Sequence, residues 1–213
     1  MTVRMMNYRQ HLLNGCTTLN LEISEDKVAK LLCFIDLIAK WSKAYNLTAI
    51  KDKREMVDLH LLDSLTVIPY LDGERIIDIG TGAGLPGIPL AICLPHMAVT
   101  LLDSNAKKTR FVQQAVLELK LANVQIVHSR SEDYQPGQAF NTVITRAFAE
   151  LSDIVKSTKH LLTTNGKIIA MKGRCPESEL AKVVTKKTVI PVQVPGVEAE
   201  RNLVCITNLG ISE

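Results

Sequence analysis

Helical spacing of apolar residues dominates the first third of the chain. Over residues 28–41 apolar side chains recur at steps of three or four, which predicts an amphipathic helix whose first turn follows Ser24. A second pattern of this kind covers residues 56–67. Residues 1–23 are polar and without a pattern, so we expect them to be partly frayed. The sequence thus predicts a helical N-terminal extension over residues 1–70 that contains no strand.

From residue 71 onward, short apolar runs alternate with helical patterns. Strands are predicted over residues 75–79, 98–102, 124–127, 142–144, 167–171, 189–194 and 203–207, and helices over 84–94, 106–121, 151–162 and 177–186. Such alternation predicts right-handed crossovers and a mostly parallel sheet with helices on both faces. The last two strands have no helix between them, so they must pair antiparallel or lie at an edge. We therefore predict a Rossmann-like α/β domain over residues 71–213 that forms one compact unit.

A glycine-rich loop directly follows the first predicted strand. Gly80, Gly82 and Gly84 alternate with small residues, which lets the backbone turn tightly and approach a ligand closely. Asp103 stands 23 residues after Gly80, at the end of the next predicted strand. A carboxylate at that place can accept hydrogen bonds from both ribose hydroxyls of an adenosine. The loop and the acid together predict a site for a nucleoside cofactor.

The loop also discriminates between cofactors. Asp78 is expected at its mouth, where a carboxylate suits a cationic amine and disfavours the pyrophosphate of a dinucleotide. S-Adenosylmethionine carries an α-ammonium, a sulfonium and no phosphate, and the lysine motif of ATP-binding loops is absent from the chain. S-Adenosylmethionine is therefore the favoured cofactor, and a nicotinamide-dependent oxidoreductase is the alternative.

Two further strand ends are candidates for the site, because the carboxyl ends of parallel strands line the ligand crevice of such a sheet. Ser131 and Glu132 follow the third predicted strand and are candidates for contact with the adenine edge, against the alternative of a polar loop. Arg146 follows the fourth strand, where an arginine holds a phosphate or substrate, or else forms a structural ion pair.

Composition narrows the class of protein without identifying it. The 213 residues are 46% hydrophobic and 22% charged, which is typical of a globular protein. The five cysteines include no CxxC pair, which argues against a zinc knuckle, predicts no metal and suits the reducing cytoplasm. We expect neither a signal peptide nor a membrane-spanning segment. We also expect a monomer, because the sequence suggests neither an exposed heptad pattern nor a large apolar patch.

Charge gives a weaker indication of the partner. The net charge of +3 is too small to identify a nucleic-acid partner, but the basic residues are unevenly distributed. Residues 105–130 carry five basic side chains and one acidic side chain. This excess of positive charge indicates either a basic patch or an ordinary solvated helix face. The candidates for a wider RNA-binding track are Lys40, Lys43, Lys51, Lys53, Arg54, Lys107, Lys108 and Arg110.

Seven segments in register give a far more specific signal. They are WSKAYNLTAI (41–50), HLLDSL (60–65), DIGTGAGLPGIPL (78–90), LLDS (101–104), TRAFAEL (145–151), MKG (171–173) and ERNLV (200–204). In this combination the chain resembles the RsmG (GidB) family of bacterial small-subunit rRNA methyltransferases, from about residue 20 to residue 208. The resemblance implies a seven-stranded class I methyltransferase sheet and S-adenosylmethionine as the methyl donor. It implies N7 of a guanine in the 530 loop of 16S rRNA as the acceptor, in free rRNA or in the small ribosomal subunit.

The resemblance also implies roles for individual residues. Cofactor contacts would fall on Gly80, Leu85, Ser131, Glu132 and Arg146. Further positions that match the family are Trp41, Asn46, His60, Asp63, Ser64 and Lys172. Taken from the residues alone, Trp41 is interpreted as a core anchor, and His60 as a polar contact rather than a metal ligand.

Guanine N7 has an in-plane lone pair and no proton to lose, so its methylation is expected to be an in-line displacement without a general base. The sequence lacks the Asn/Asp-Pro-Pro-aromatic motif expected for methylation of exocyclic amines, and Cys175 is isolated from any carbon-methylating context. Arg146 and Lys172 are predicted to hold an RNA phosphate or the guanine O6 edge. A cofactor-binding RNA module without catalysis is the remaining alternative.

Overall fold

The computed structural model describes residues 3–146, 149–174, 177–207 and 209–210. The strands of these residues form one seven-stranded sheet in the order β3-β2-β1-β4-β5-β7-β6. The strands are β1 (Arg75–Ile79), β2 (Ala98–Asp103), β3 (Val124–His128), β4 (Phe140–Arg146), β5 (Leu162–Lys172), β6 (Lys187–Pro191) and β7 (Asn202–Ile206). β1 to β5 run parallel, and β7 pairs antiparallel with both β5 and β6. The predicted mostly parallel α/β sheet is confirmed, as is the antiparallel pairing of the last two strands.

Helices precede the sheet and connect its strands. The α-helices are α1 (Val3–Thr18), α2 (Glu25–Tyr45), α3 (Lys53–Met56), α4 (Asp63–Leu65), α5 (Gly87–Cys93), α6 (Ala106–Glu118), α7 (Leu151–Thr158) and α8 (Glu177–Ala181). A π-helix covers Val57–Leu62, and two 3₁₀ turns cover Ile68–Tyr70 and Lys159–Leu161. Residues 3–70, all of them described, contain no strand.

Both faces of the sheet are covered, which explains why its strands read as continuous apolar runs. Neighbouring strand residues alternate between two hydrophobic clusters: Ile76 and Ile144 belong to one cluster, and Ile77 and Val143 to the other. The first cluster also contains buried residues of α1, α2, α5 and α6. The N-terminal helices therefore pack against the same core as one face of the sheet.

The sequence shows no pattern over residues 1–23, but Val3–Thr18 form helix α1, whose second half packs on the π-helix. Leu12 and Cys16 are fully buried, and the missing side chain of Gly15 leaves room for Leu62 of the π-helix. His11 Nε2 also lies 2.6 Å from Asp58 Oδ1, in the same π-helix. Tertiary contacts thus fix a helix whose own sequence shows little periodicity.

Helix α2 begins where the sequence predicts and runs four residues past the end of its apolar pattern at Trp41. The Ser24 hydroxyl accepts a hydrogen bond from the Lys27 N–H, and Asn46 ends the helix in the left-handed conformation with φ of 50°. Trp41 packs against Phe111 of α6 with ring centroids 5.8 Å apart, in agreement with its interpretation as a core anchor. The C-cap brings the segment after Asn46 towards the sheet edge that carries the candidate site.

Candidate active site

The glycine-rich loop leaves β1 at the centre of the sheet, where β1 lies between β2 and β4. Gly80, Gly82 and Gly84 all have positive φ, a conformation that side chains with a Cβ rarely adopt. Gly87 at the start of α5 is constrained by space instead, since a Cβ there would come within 2.1 Å of Leu101 Cδ2. The loop conformation therefore requires the glycines that the sequence provides.

Asp78 does not lie at the mouth of the loop as predicted; it is buried, with 1% of the residue exposed. Its Oδ2 accepts hydrogen bonds from the Thr81 hydroxyl at 2.7 Å and from the Gly87 N–H at 2.9 Å. Burial raises the pKa of Asp78 to about 6, although these two hydrogen bonds act in the opposite direction. The carboxylate faces inward because it holds both ends of the loop together. Its Oδ1 is buried without a hydrogen-bond partner among the described residues.

Asp103 holds the other side of the loop. Its Oδ2 accepts a hydrogen bond from the Gly82 N–H and its Oδ1 one from the Asn105 N–H, both at 2.8 Å. A carboxylate offers about four lone-pair positions, so two of them remain for a ligand. Asp103 thus links the loop after β1 to the turn that follows β2.

A cavity of about 460 Å³, which we call the glycine-loop cavity, opens beside Asp103. Its lining includes Gly80, Asp103, Lys108, Arg130, Ser131 and Glu132. Four of the predicted cofactor residues therefore line one cavity. Ser131 is almost fully buried, and its hydroxyl donates a hydrogen bond to Glu132 Oε2 at 3.0 Å. Gly82, Gly84 and Leu85 are not among its lining residues, and Leu85 packs into the hydrophobic core instead.

Arg146 belongs to a second cavity of about 430 Å³, the arginine cavity, which is lined in part by His60, Asp63, Arg146, Lys172, Arg201 and Asn202. Arg146 Nη1 donates hydrogen bonds to the Leu59 carbonyl at 2.9 Å and to Asp63 Oδ2 at 3.2 Å. Arg201 Nε lies 3.3 Å from the other carboxylate oxygen of Asp63. One buried aspartate thus orients two arginines that come from distant parts of the chain.

Lys172 is also held in place. Its ammonium donates to the Ala149 carbonyl at 2.8 Å and to Glu179 Oε1 at 2.6 Å, which leaves one of its three N–H donors. His60 Nε2 lies 3.0 Å from the Thr48 hydroxyl, and burial, followed by the Arg146 guanidinium, lowers the pKa of His60 to about 4. His60 is therefore neutral at pH 7, and the cavity has a positive balance from its arginines.

Sequence reasoning assigned no role to Arg201, although this residue lies in ERNLV (200–204), one of the seven segments that match the family. The position of Arg201 depends on the direction of β7, which the sequence alone does not define. Because β7 is antiparallel, its first residue Asn202 pairs with Lys172, the last residue of β5. Residues that precede an antiparallel strand thus reach the edge where parallel strands end, and Arg201 precedes such a strand.

The two cavities lie at neighbouring strand ends. In the pairing of β1 with β4, Ile79 is opposite Thr145, so Gly80 and Arg146 follow one step beyond that pair. The glycine-loop cavity fits a nucleoside, because Asp103 has acceptor positions left for ribose hydroxyls. The neighbouring arginine cavity fits an anionic or acceptor-rich substrate.

Among the residues that the structure describes, no helix is long and apolar enough to cross a membrane. Within the same residues, no three His, Cys, Asp or Glu side chains are grouped as metal ligands would be. Cys175, which the sequence places in no carbon-methylating context, lies outside the described residues.

Comparison with known proteins gives the same family over most of the chain. The model of the family described as rRNA small subunit methyltransferase G matches residues 27–204. The ribosomal RNA small subunit methyltransferase G of Chromobacterium violaceum is 48% identical over 204 residues, which are 94% of this chain and 98% of that protein. The protein of the same name from Marinobacter nauticus is 45% identical over 207 residues, with 94% and 97% covered.

Solved structures agree at the level of the fold. A SAM-dependent methyltransferase from Aquifex aeolicus is similar with a TM-score of 0.56 at 17% identity, over 72% of this chain and 96% of that one. This similarity confirms the Rossmann-like class I methyltransferase fold, and the family model with the curated relatives confirms the family resemblance. Family and fold together confirm S-adenosylmethionine as the cofactor and argue against a nicotinamide-dependent oxidoreductase. The chain belongs to the rRNA small subunit methyltransferase G family.

Proposed function

We propose that this protein methylates N7 of a guanine in the 530 loop of 16S rRNA, in the cytoplasm and as a monomer. The observation that carries the proposal is the pair of cavities at adjacent strand ends: Asp103 lines one, and Asp63 orients Arg146 and Arg201 towards the other. S-Adenosylmethionine supplies an electrophilic methyl group on its sulfonium. The residues of the chain bind and orient the two reactants.

In this proposal the glycine-loop cavity holds the methyl donor. Asp103 accepts hydrogen bonds from the ribose hydroxyls, Ser131 and Glu132 contact the adenine edge, and Gly80 and Gly82 let the backbone approach. Asp78, Gly84 and Leu85 act through the loop: the first fixes its ends and the other two shape its turn and its packing.

The arginine cavity receives the guanine. Arg146 and Arg201, oriented by Asp63, contact the O6 edge or the adjoining phosphate, and the remaining N–H of Lys172 adds a third donor. Guanine N7 has no proton to lose, so no side chain needs to act as a base. Catalysis then rests on alignment of the reactants, which supplies up to roughly 7–11 kcal/mol in favourable cases.

Transfer of a labelled methyl group to small subunits and to naked 16S rRNA, both lacking the modification, tests the proposal. We expect label at one guanine of the 530 loop, mapped by cleavage at N7-methylguanine. If the protein bound S-adenosylhomocysteine but transferred no methyl group to either form of the RNA, the alternative of a cofactor-binding RNA module without catalysis would be favoured.

Arg146→Ala provides the matching test of the site. We expect turnover to fall at least about 100-fold, because a charge-assisted contact to the substrate is worth several kcal/mol in a partly buried cavity. Arg9→Ala serves as the control for loss of an arginine, because Arg9 lines neither cavity and forms its salt bridge with Glu25 of α2. Unchanged turnover of Arg146→Ala on rRNA would show that this assignment is wrong.

A further inference from the structure

A third concave surface, here named the lysine groove, lies between the end of α2 and the start of α3. It has a volume of about 820 Å³, and its lining includes Lys40, Lys43, Asn46, Ile50, Lys51 and Lys53. Lys40, Lys43 and Lys51 are exposed, so their ammonium groups are available to a partner. The groove is therefore open to solvent along its lysine-bearing side.

The charge of the groove is strongly positive. Four lysines and one aspartate line it, a local balance of +3, which equals the net charge of the whole chain. The aspartate, Asp36, forms a salt bridge with Lys53. No carboxylate of the described residues lies within salt-bridge distance of Lys40, Lys43 or Lys51. Three neighbouring cations without a protein partner fit a polyanion.

The lysine groove adjoins the arginine cavity. Ile50 lines both of them, and Thr48 of the groove forms a hydrogen bond with His60 of the cavity at 3.0 Å. The groove therefore lies next to the cavity that contains Arg146 and Arg201. The lining residues of the groove and those of the glycine-loop cavity have no member in common.

We infer that the lysine groove binds the sugar–phosphate backbone of the single-stranded RNA next to the nucleotide that enters the arginine cavity. The inference rests on the proposed rRNA substrate and adds the direction of the strand across the protein surface. No aromatic ring is among the described residues of the groove, which excludes base stacking there and favours contacts with phosphates. Such contacts position the strand without reading its sequence.

The test is the salt dependence of RNA binding by the variant Lys40→Gln, Lys43→Gln, Lys51→Gln. The probe is a transcript of the 16S 530-loop region, and the readout is fluorescence anisotropy between 0.05 and 0.3 M KCl, roughly the range in which phosphate contacts dominate affinity. Three lost phosphate contacts lower the slope of log affinity against log salt by about 2, at about 0.7 for each contact with a single strand. At 0.1 M salt this corresponds to about 100-fold weaker binding.

The matched control removes the same charge from the opposite side of the sheet. Lys156, Lys159 and Lys186 are exposed and lie in or beside elements that pack on the second hydrophobic cluster. Their triple change to Gln keeps the net charge equal to that of the groove variant. Both variants must bind S-adenosylhomocysteine as the unchanged protein does, because neither set touches the glycine-loop cavity.

An equal slope for the groove variant and the control variant would overturn the inference. Normal binding of naked RNA combined with weak binding of small subunits would overturn it as well, since the groove would then contact a ribosomal protein. The readout is binding and not methyl transfer. Failure of the guanine-N7 assignment would therefore leave the slope difference intact, and the two failures are distinguishable.

Discussion

At the scale of single residues, the candidate site depends on carboxylates that bridge elements. Asp103 joins the loop after β1 to the turn before α6, and Asp63 joins Arg146 to Arg201. Each of the two acids lies at the boundary of one cavity and accepts hydrogen bonds or ion pairs from two sides. Removing their charge should therefore affect ligand binding in a cavity-specific way.

Asp103→Asn tests this for the cofactor. The amide retains one acceptor oxygen but loses the charge, and a hydrogen bond to a charged group is worth about 1.5–3 kcal/mol. We expect affinity for S-adenosylhomocysteine to fall about 10- to 100-fold in isothermal titration calorimetry. Asp133→Asn, an exposed aspartate outside the cavity lining, should bind as the unchanged protein does. A loss of less than twofold for Asp103→Asn would contradict the assigned role.

At the scale of elements, α1 is the part of the fold that sequence reasoning failed to predict. We expect Leu12→Ala to lower the free energy of unfolding by about 2–5 kcal/mol, because the leucine is fully buried between α1 and the rest of the core. Urea denaturation measures this directly. Leu117→Ala on α6 is the control, since that side chain is 66% exposed and its loss should cost less than about 0.5 kcal/mol. Equal losses would mean that α1 contributes little to the core.

The elements that were predictable have a local signal, and those that were not depend on distant contacts. β1 and β2 are apolar runs closed by glycine or aspartate, and Ser24 marks the start of α2. By contrast, α1 is fixed by Gly15 against Leu62. The π-helix over Val57–Leu62 inserts an extra residue into a helical pattern, which spacing alone cannot reveal.

The same distinction applies to the candidate site. The glycines, Asp103 and Arg146 were found because each stands at the end of a predicted strand, where α/β sheets bind ligands. The buried orientation of Asp78 was missed because it depends on the N–H of Gly87, nine residues further along the chain. Arg201 was missed because its position follows from the direction of β7. The sequence predicted only that the last two strands pair antiparallel or lie at an edge, and this does not define which of them is antiparallel to β5.

At the scale of the whole molecule, two buried titratable groups act on stability in opposite directions. Burial raises the pKa of Asp78 from 3.8 to about 6, so the folded state holds this proton more tightly than the unfolded state. Its contribution to the free energy of unfolding is full below about pH 4 and is lost as the pH rises to 6. Burial and Arg146 lower the pKa of His60 from 6.5 to about 4, so the unfolded state holds that proton more tightly. The contribution of His60 is full above pH 6.5 and is lost as the pH falls towards 4.

Because the two windows overlap, the effect of each group is isolated by the difference between its own variant and the unchanged protein. Relative to the unchanged protein, Asp78→Asn should gain stability as the pH rises from 4 to 6, and His60→Gln should gain it as the pH falls from 6.5 to 4, by up to about 3 kcal/mol each. Urea unfolding at pH 4, 5, 6 and 7 measures both differences, with the exposed Asp133→Asn as a control that should stay parallel to the unchanged protein. If the Asp78→Asn difference stayed flat or ran the other way, Asp78 would be ionised in the folded state throughout this range. The two trends can be separated because their signs are opposite, and their balance then sets the shape of the stability profile between pH 4 and 6.5.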